Sequence, residues 1–140
     1  QPENTAYGYI RCEDGGWRTN FFSVPIVGGA DGGVFVTAPD MTRFWDNLRN
    51  RHLLSDDSTR KMLTPHHHFT FTNGTLGGYG YGLWIRLKGE AVHIYHAEGG
   101  DPGVEFISGV CAAQNIDFSV ISNADDGVDA VAELIFEALG

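Results

Sequence analysis

His96 and Glu98 stand two residues apart at the end of Ala91-Val92-His93-Ile94-Tyr95-His96, a run that reads as a β-strand. Side chains two apart on a strand share a face. If the strand continues that far, an imidazole meets a carboxylate, a pair able to hold or move a proton near neutral pH. His93 and His96 point to opposite faces and cannot share a metal as a strand pair. His66-His67-His68 offers imidazoles that suit Zn, Ni or Cu. Neighbouring side chains splay in an extended loop, however, and no Cys or carboxylate sits at ligand spacing. A solvated loop is expected there, with no metal and no cofactor. Ser58-Thr59-Arg60-Lys61 is a formal Ser-x-x-Lys, a nucleophile followed one helical turn later by an amine. Its surroundings, Asp56, Asp57 and Arg60, ask for solvent rather than for a buried reaction centre. Val27-Gly28-Gly29-Ala30-Asp31-Gly32-Gly33 has the glycines of a phosphate loop. Such a loop must open directly into a helix, whereas Val34-Phe35-Val36 follows. A turn or close backbone packing is the better reading.

The elements that carry these residues follow from periodicity. The stretches 79–87, 91–96, 104–112 and 116–123 are apolar and β-branched or aromatic, with short links between them. Links this short allow only antiparallel pairing, so a four-stranded meander is expected. Ala97-Glu98-Gly99-Gly100-Asp101-Pro102-Gly103 is too rich in glycine and proline for a strand centre and is expected to be a loop. Upstream, Met41, Phe44, Trp45 and Leu48 recur at helical spacing after a Thr37/Asp40 capping pair, with Pro39 in the first turn. A shorter helix is expected from Ser55 to just before Pro65. The last helix, 128–139, carries Val128, Val131, Leu134, Ile135 and Leu139 as its apolar stripe, with Asp125 or Asp126 as cap. Residues 1–26 read as extended segments.

Composition bounds the partners. A chain of 140 residues is one domain by length and buries about two-thirds of its unfolded surface. A net charge of −9 opposes binding to nucleic acid and to anionic membrane. No apolar run reaches transmembrane length. Cys12 and Cys111 are far apart in sequence and are read as two buried or free thiols, with a bridge as the alternative. The chain begins with Gln1 and carries no signal-like segment, so a piece of a longer polypeptide is expected.

Several stretches, taken in order, carry a family resemblance. Glu98-Gly99-Gly100-Asp101-Pro102-Gly103, a strand, then Val120-Ile121-Ser122-Asn123 before a helix resembles the C-terminal part of the serine β-lactamase-like family. That family includes penicillin-binding proteins, class C β-lactamases, esterases and D-aminopeptidases. Gly32-Gly33-Val34-Phe35-Val36-Thr37-Ala38-Pro39-Asp40-Met41 is similar to its Gly-Gly-x-x-Ser-Thr-Ala-x-Asp-Leu segment. Leu53-Leu54-Ser55, Met62-Leu63-Thr64-Pro65 and Tyr79-Gly80-Tyr81-Gly82-Leu83 follow in the family's order.

The resemblance implies an α+β fold: an antiparallel sheet of about four strands, a C-terminal helix on one face, and two helices preceding the sheet. Residues 1–140 would be a single piece, the C-terminal portion of a larger β-lactamase-like domain. It would divide into an extended, Gly-rich 1–36, two helices in 37–65, the sheet in 79–123 and the helix in 128–139. It also implies a serine hydrolase that cleaves amides, esters or β-lactams through an acyl-enzyme. Gly99 matches the third-motif glycine and Gly100 the oxyanion-hole donor, while Ala97 falls where the family has Lys or His. His96 reaches that place only with one extra residue, such as a bulge. The site implied comprises Gly100, Glu98 and His96 for chemistry and Gly99, Ala97 and Asp101 for substrate. Tyr-x-Asn, the family's second motif, appears nowhere, so the chain is expected to be inert alone. Its partners would be the missing N-terminal half of the fold and a small-molecule or peptide substrate. An uncovered sheet face or edge would make it a homo-oligomer. The alternative is a non-catalytic binding or structural module derived from the same fold.

Overall fold

The computed structural model describes residues 3–140. The described residues form three helices and eight strands, in the order β1 (Tyr9–Arg11), β2 (Trp17–Thr19), α1 (Ala38–Arg49), α2 (Asp56–Met62), β3 (His67–Thr70), β4 (Leu76–Tyr79), β5 (Trp84–Lys88), β6 (Ala91–Asp101), β7 (Val104–Cys111), β8 (Ile116–Ser122) and α3 (Val128–Leu139). Strands β3 to β8 form one sheet in sequence order, and β1–β2 a separate hairpin. The class is α+β, as expected, with six strands in the main sheet rather than four. The chain packs as two compact units, Gln1–Ala38 with Gly99–Ile107 and Val120–Gly140, and Pro39–Glu98 with Ser108–Ser119. Both Cys12 and Cys111 are free thiols.

In the Pro39–Glu98 unit, α1 buries Met41, Trp45 and Leu48 from the expected stripe. Phe44 is half-buried against Trp45, ring centroids 4.9 Å apart. Trp45 lies with its ring centroid 5.7 Å from that of Tyr95 of β6, the rings tilted by 59°, and donates Nε1–H to Ser108 Oγ of β7 at 2.7 Å. Ser108 in turn meets Phe118 O at 2.9 Å and Ser119 Oγ at 2.8 Å, so its hydroxyl is satisfied although fully buried. Thr42 Oγ1 donates to Asp117 Oδ2 at 2.7 Å. Helix α2 starts at an N-cap formed by Ser55, which accepts from Ser58 N–H at 3.3 Å.

Two expectations for this unit need correction. The triple-histidine stretch is not a solvated loop: His67–Thr70 is an edge strand paired with β4 in the register His67↔Tyr79. The turn at Asn73-Gly74, with Gly74 at φ +84°, folds the chain back on itself, and an Asn-Gly pair is a hairpin signal in its own right. Strand 79–87 is also not continuous. It divides between β4 and β5 because Gly82 adopts φ +81° and Gly80 N–H bonds Leu83 O at 2.8 Å.

In the other unit, the β1–β2 hairpin orders residues read only as extended. Tyr9 N–H is shared between Gly103 O at 3.1 Å and Asn123 O at 2.9 Å. Helix α3 has its expected bounds but not its expected cap, and only part of its expected stripe is buried. Gly127 occupies the cap position with no side-chain bond. Val128 N–H instead goes to Glu105 Oε2 of β7 at 3.1 Å, and Asp125 Oδ1 accepts from Gly103 N–H. A residue distant in sequence thus displaces the local cap. Val128, Ala132, Phe136 and Leu139 are buried, leaving Val131 and Leu134 exposed at 44% and 65%.

Candidate functional site

Strand β6 carries every site residue named from the sequence. It runs unbroken from Ala91 to Asp101, so the expected loop at 97–103 shrinks to a two-residue turn at Pro102-Gly103. Pairing overrides the low strand preference of Gly99 and Gly100. Pro102 presets one turn position, and Gly103 at φ +79° meets the next, where a side chain would be strained. A Cβ at Gly103 would also lie 2.9 Å from Tyr9 N. Against β5 the strand pairs Trp84↔His96, Ile85↔Tyr95 and Arg86↔Ile94, then slips between Arg86 and Leu87 to Leu87↔Val92. The residue left over is His93. The bulge in this ladder therefore precedes Ile94, and residues 94–96 alternate regularly.

That alternation sorts the side chains. Tyr95 faces Trp45 of α1. Burial raises its phenol above the ordinary 10.0, opposed in part by the charge of Arg49. His96 faces the other way and is 0% exposed. Its Nδ1 lies 3.1 Å from Glu98 Oε1, whose side chain is 43% exposed. Imidazole and carboxylate thus share a face, as their spacing implies, with only the carboxylate at the surface. Ala97, half-buried, lies on the Tyr95 side of the strand.

The His96 ring sits in a tight, largely aromatic environment. A Cβ on Gly109 of β7 would stand 2.6 Å from His96 Cβ, 2.7 Å from Tyr95 O and 2.8 Å from Phe118 Cζ, so only glycine fits. Phe71 lies 6.4 Å from the His96 ring, and Arg86 Cζ lies 4.2 Å above Phe71. Trp84, opposite His96, takes edge contacts from Phe69 at 5.6 Å and Tyr79 at 4.8 Å. Gly109, Phe71 and Arg86 escaped the sequence reading. An isolated glycine inside an apolar strand was the one signal available, because it marks close backbone approach.

Gly99, Gly100 and Asp101 follow along the strand in the other unit. Gly99 and Gly100 are exposed and Asp101 half-buried. A Cβ at Gly99 would meet nothing within 4 Å, and one at Gly100 only Val104 O at 3.3 Å. Neither has a positive φ. Nothing in the described chain therefore demands glycine at 99.

The remaining candidates resolve into structural roles. Ser58 is exposed and its Oγ accepts from Ser55 Oγ at 3.0 Å. Lys61 Nζ turns to Asp57 Oδ2 at 2.6 Å, and this bond holds the Asp57 carboxyl below its ordinary range. Serine and lysine are thus not coupled. His66 stacks on Tyr81 at 4.4 Å, with Nε2 2.8 Å from Lys61 O. No group of three or more potential metal ligands occurs among the described residues, and none of their helices is long and apolar enough to cross a membrane.

Comparison with known proteins bears on the whole chain. No curated protein matches it. Among solved structures it is similar to the penicillin binding protein from Bacillus halodurans, at 43% identity and a TM-score of 0.88. That similarity covers 100% of this chain and 42% of that one, so the chain spans less than half of its relative's length. The Beta-lactamase family matches residues 1–139. With that match and a sheet and helices of the kind the motifs imply, the chain belongs to the beta-lactamase family.

Proposed function

We propose that this chain is the C-terminal part of a serine hydrolase of the β-lactamase and penicillin-binding-protein type, which opens amides, esters or β-lactams through an acyl-enzyme. The observation that carries the reading is Gly99 on exposed, extended β6 backbone beside Gly100, where a side chain at 99 would meet nothing within 4 Å and glycine serves no need of the chain's own packing. A glycine there leaves room for a substrate to approach the main chain. Gly100 N–H is the proposed oxyanion donor, a group whose loss costs about 100- to 1,000-fold in turnover. Gly99, Ala97 and Asp101 border the substrate. Glu98 is the group that reaches it, and buried His96 holds Glu98 in place.

The nucleophile is proposed to lie in the portion of the fold that these residues do not include, and that portion is the chain's partner. The gene that encodes the chain is then expected to carry Ser-x-x-Lys followed by Tyr-x-Asn upstream of Gln1. The 140-residue chain alone forms no acyl-enzyme with a fluorescent penicillin or an activated ester; stoichiometric labelling would overturn this. One feature of the sequence favours a second reading, a non-catalytic module: counted along the motif, Ala97 falls where the family has Lys or His. Absence of both upstream motifs would decide for it.

A further inference from the structure

Gly103 is buried in the β6–β7 turn, three residues beyond the proposed oxyanion donor Gly100. The hydrogen bond that closes a β-turn joins its first and fourth residues, so the N–H and C=O of the third must find partners elsewhere. A buried N–H without one carries a desolvation penalty. Two other segments of the same compact unit supply the partners. Asp125 Oδ1, between β8 and α3, accepts from Gly103 N–H. Tyr9 N–H donates to Gly103 O at 3.1 Å and to Asn123 O at 2.9 Å. Behind Tyr9, Asn20 grips Gly8 twice: Asn20 Oδ1 accepts from Gly8 N–H at 3.0 Å, and Asn20 N–H donates to Gly8 O at 2.9 Å. Asn20 is 2% exposed, and a Cβ on Gly8 would collide with Gly103 O.

We infer that Asp125 is a positioning residue for the Gly100 N–H, acting through the Gly103 turn. Strand β5 pairs with β6 only as far as Trp84↔His96. Among the described residues, the stretch 97–101 therefore keeps β7 as its neighbour in the sheet, and the turn that joins the two governs where its end lies. Asp125 holds that turn by a charge-assisted bond, roughly twice as strong as a neutral one. Tyr9 holds the other polar group of the same residue. Gripped at both N–H and C=O, Gly103 has its two peptide planes fixed, and with them the course of the strand end that carries Gly100. Asp125 is free for this role because Glu105, not Asp125, receives the first N–H of α3. The inference deepens the proposed site and rests on that reading for its catalytic consequence alone.

The test reads the backbone before it reads activity. In the ¹⁵N-labelled chain with assigned amides, Asp125→Ala is expected to shift the Gly99 and Gly100 signals together with that of Gly103. Asp125→Asn, whose side-chain oxygen still accepts a hydrogen bond, is expected to return Gly99 and Gly100 to their original positions. Asn20→Ala, which releases the same turn from the Tyr9 side, is expected to displace the same two signals; the Asp125 pair decides the matter if Asn20→Ala does not fold. Asp126→Ala, the neighbouring carboxylate, is expected to leave them in place. In the full-length gene product, Asp125→Ala is expected to slow acylation by a fluorescent penicillin about 10- to 100-fold at saturation, with half-saturation unchanged, and Asp125→Asn to recover the rate. A lowered melting temperature in Asp125→Ala with Gly99 and Gly100 unmoved would overturn the inference, as would acylation at the parent rate. A parent gene product that is never acylated would overturn the hydrolase reading instead, since the amide signals report the turn without any substrate.

Discussion

Gly99→Ala and Gly109→Ala are the same change on neighbouring strands, and the structure assigns them opposite signs. At Gly99 the backbone is not in the positive-φ region and an added methyl touches nothing within 4 Å. Alanine there restricts the unfolded chain at no native cost, which stabilises by about 0.4–1 kcal/mol. At Gly109 the same methyl meets His96 Cβ, Tyr95 O and Phe118 Cζ at 2.6–2.8 Å. Two of those three are held by the sheet itself, so the neighbours cannot simply move aside, and overpacking of this kind costs about 1–3 kcal/mol. With an unfolding entropy of roughly 2.1 cal/mol/K per residue, 1 kcal/mol moves the midpoint of a chain this size by about 3 °C. Thermal unfolding followed by circular dichroism is expected to show a rise of about 1–3 °C for Gly99→Ala and a fall of about 3–10 °C for Gly109→Ala. In the full-length gene product Gly99→Ala is expected to slow acylation despite its stability. A Gly99→Ala chain that melts below the parent would refute the argument, because the chain's own packing would then require that glycine.

Four further outcomes follow from the geometry. Glu105→Ala removes the acceptor for Val128 N–H and is expected to cost about 0.5–2 kcal/mol, the range for losing a helix cap. Asp126→Ala, at a position expected from sequence to cap α3, is predicted to leave the denaturation midpoint unchanged. Tyr95 has its folded pKa raised above 10.0 by burial. The unfolded chain therefore releases this proton first, and stability is full below pH 10.0 and falls as pH rises from there toward the folded value. Tyr95→Phe is expected to abolish the late phenolate step in an ultraviolet titration and flatten that alkaline loss. The chain by itself exposes Phe22, Ile26, Val27 and Val34 at 78–101%, an apolar surface that favours association. Light scattering at micromolar concentration is expected to give a dimer or larger, and a sharp monomer mass would count against it.

What was legible in the sequence tracks how local its cause is. Helix α1 and the bounds of α3 came from 3.6-residue periodicity, and Ser55 from its position ahead of Asp56 and Asp57. The buried side of α3 did not, since Ala132 and Phe136 compete with Val131 and Leu134 on equal local terms and tertiary packing decides. The cap on α3 was invisible because Glu105 lies on another element. Strand β3 was hidden by three histidines, although Asn73-Gly74 announced the hairpin. The His96–Glu98 contact was foreseeable from a two-residue period alone, provided the strand outran its glycines. Gly109 and Phe71 act through space, across strands whose register no single-sequence pattern supplies.

The position at which an acyl group attaches separates the proposed hydrolase from every alternative. Full-length gene product treated with a fluorescent penicillin or an activated ester, then digested and mapped, is predicted to carry one label on a serine outside residues 1–140. A label on Ser58 or any other residue of this chain would contradict it.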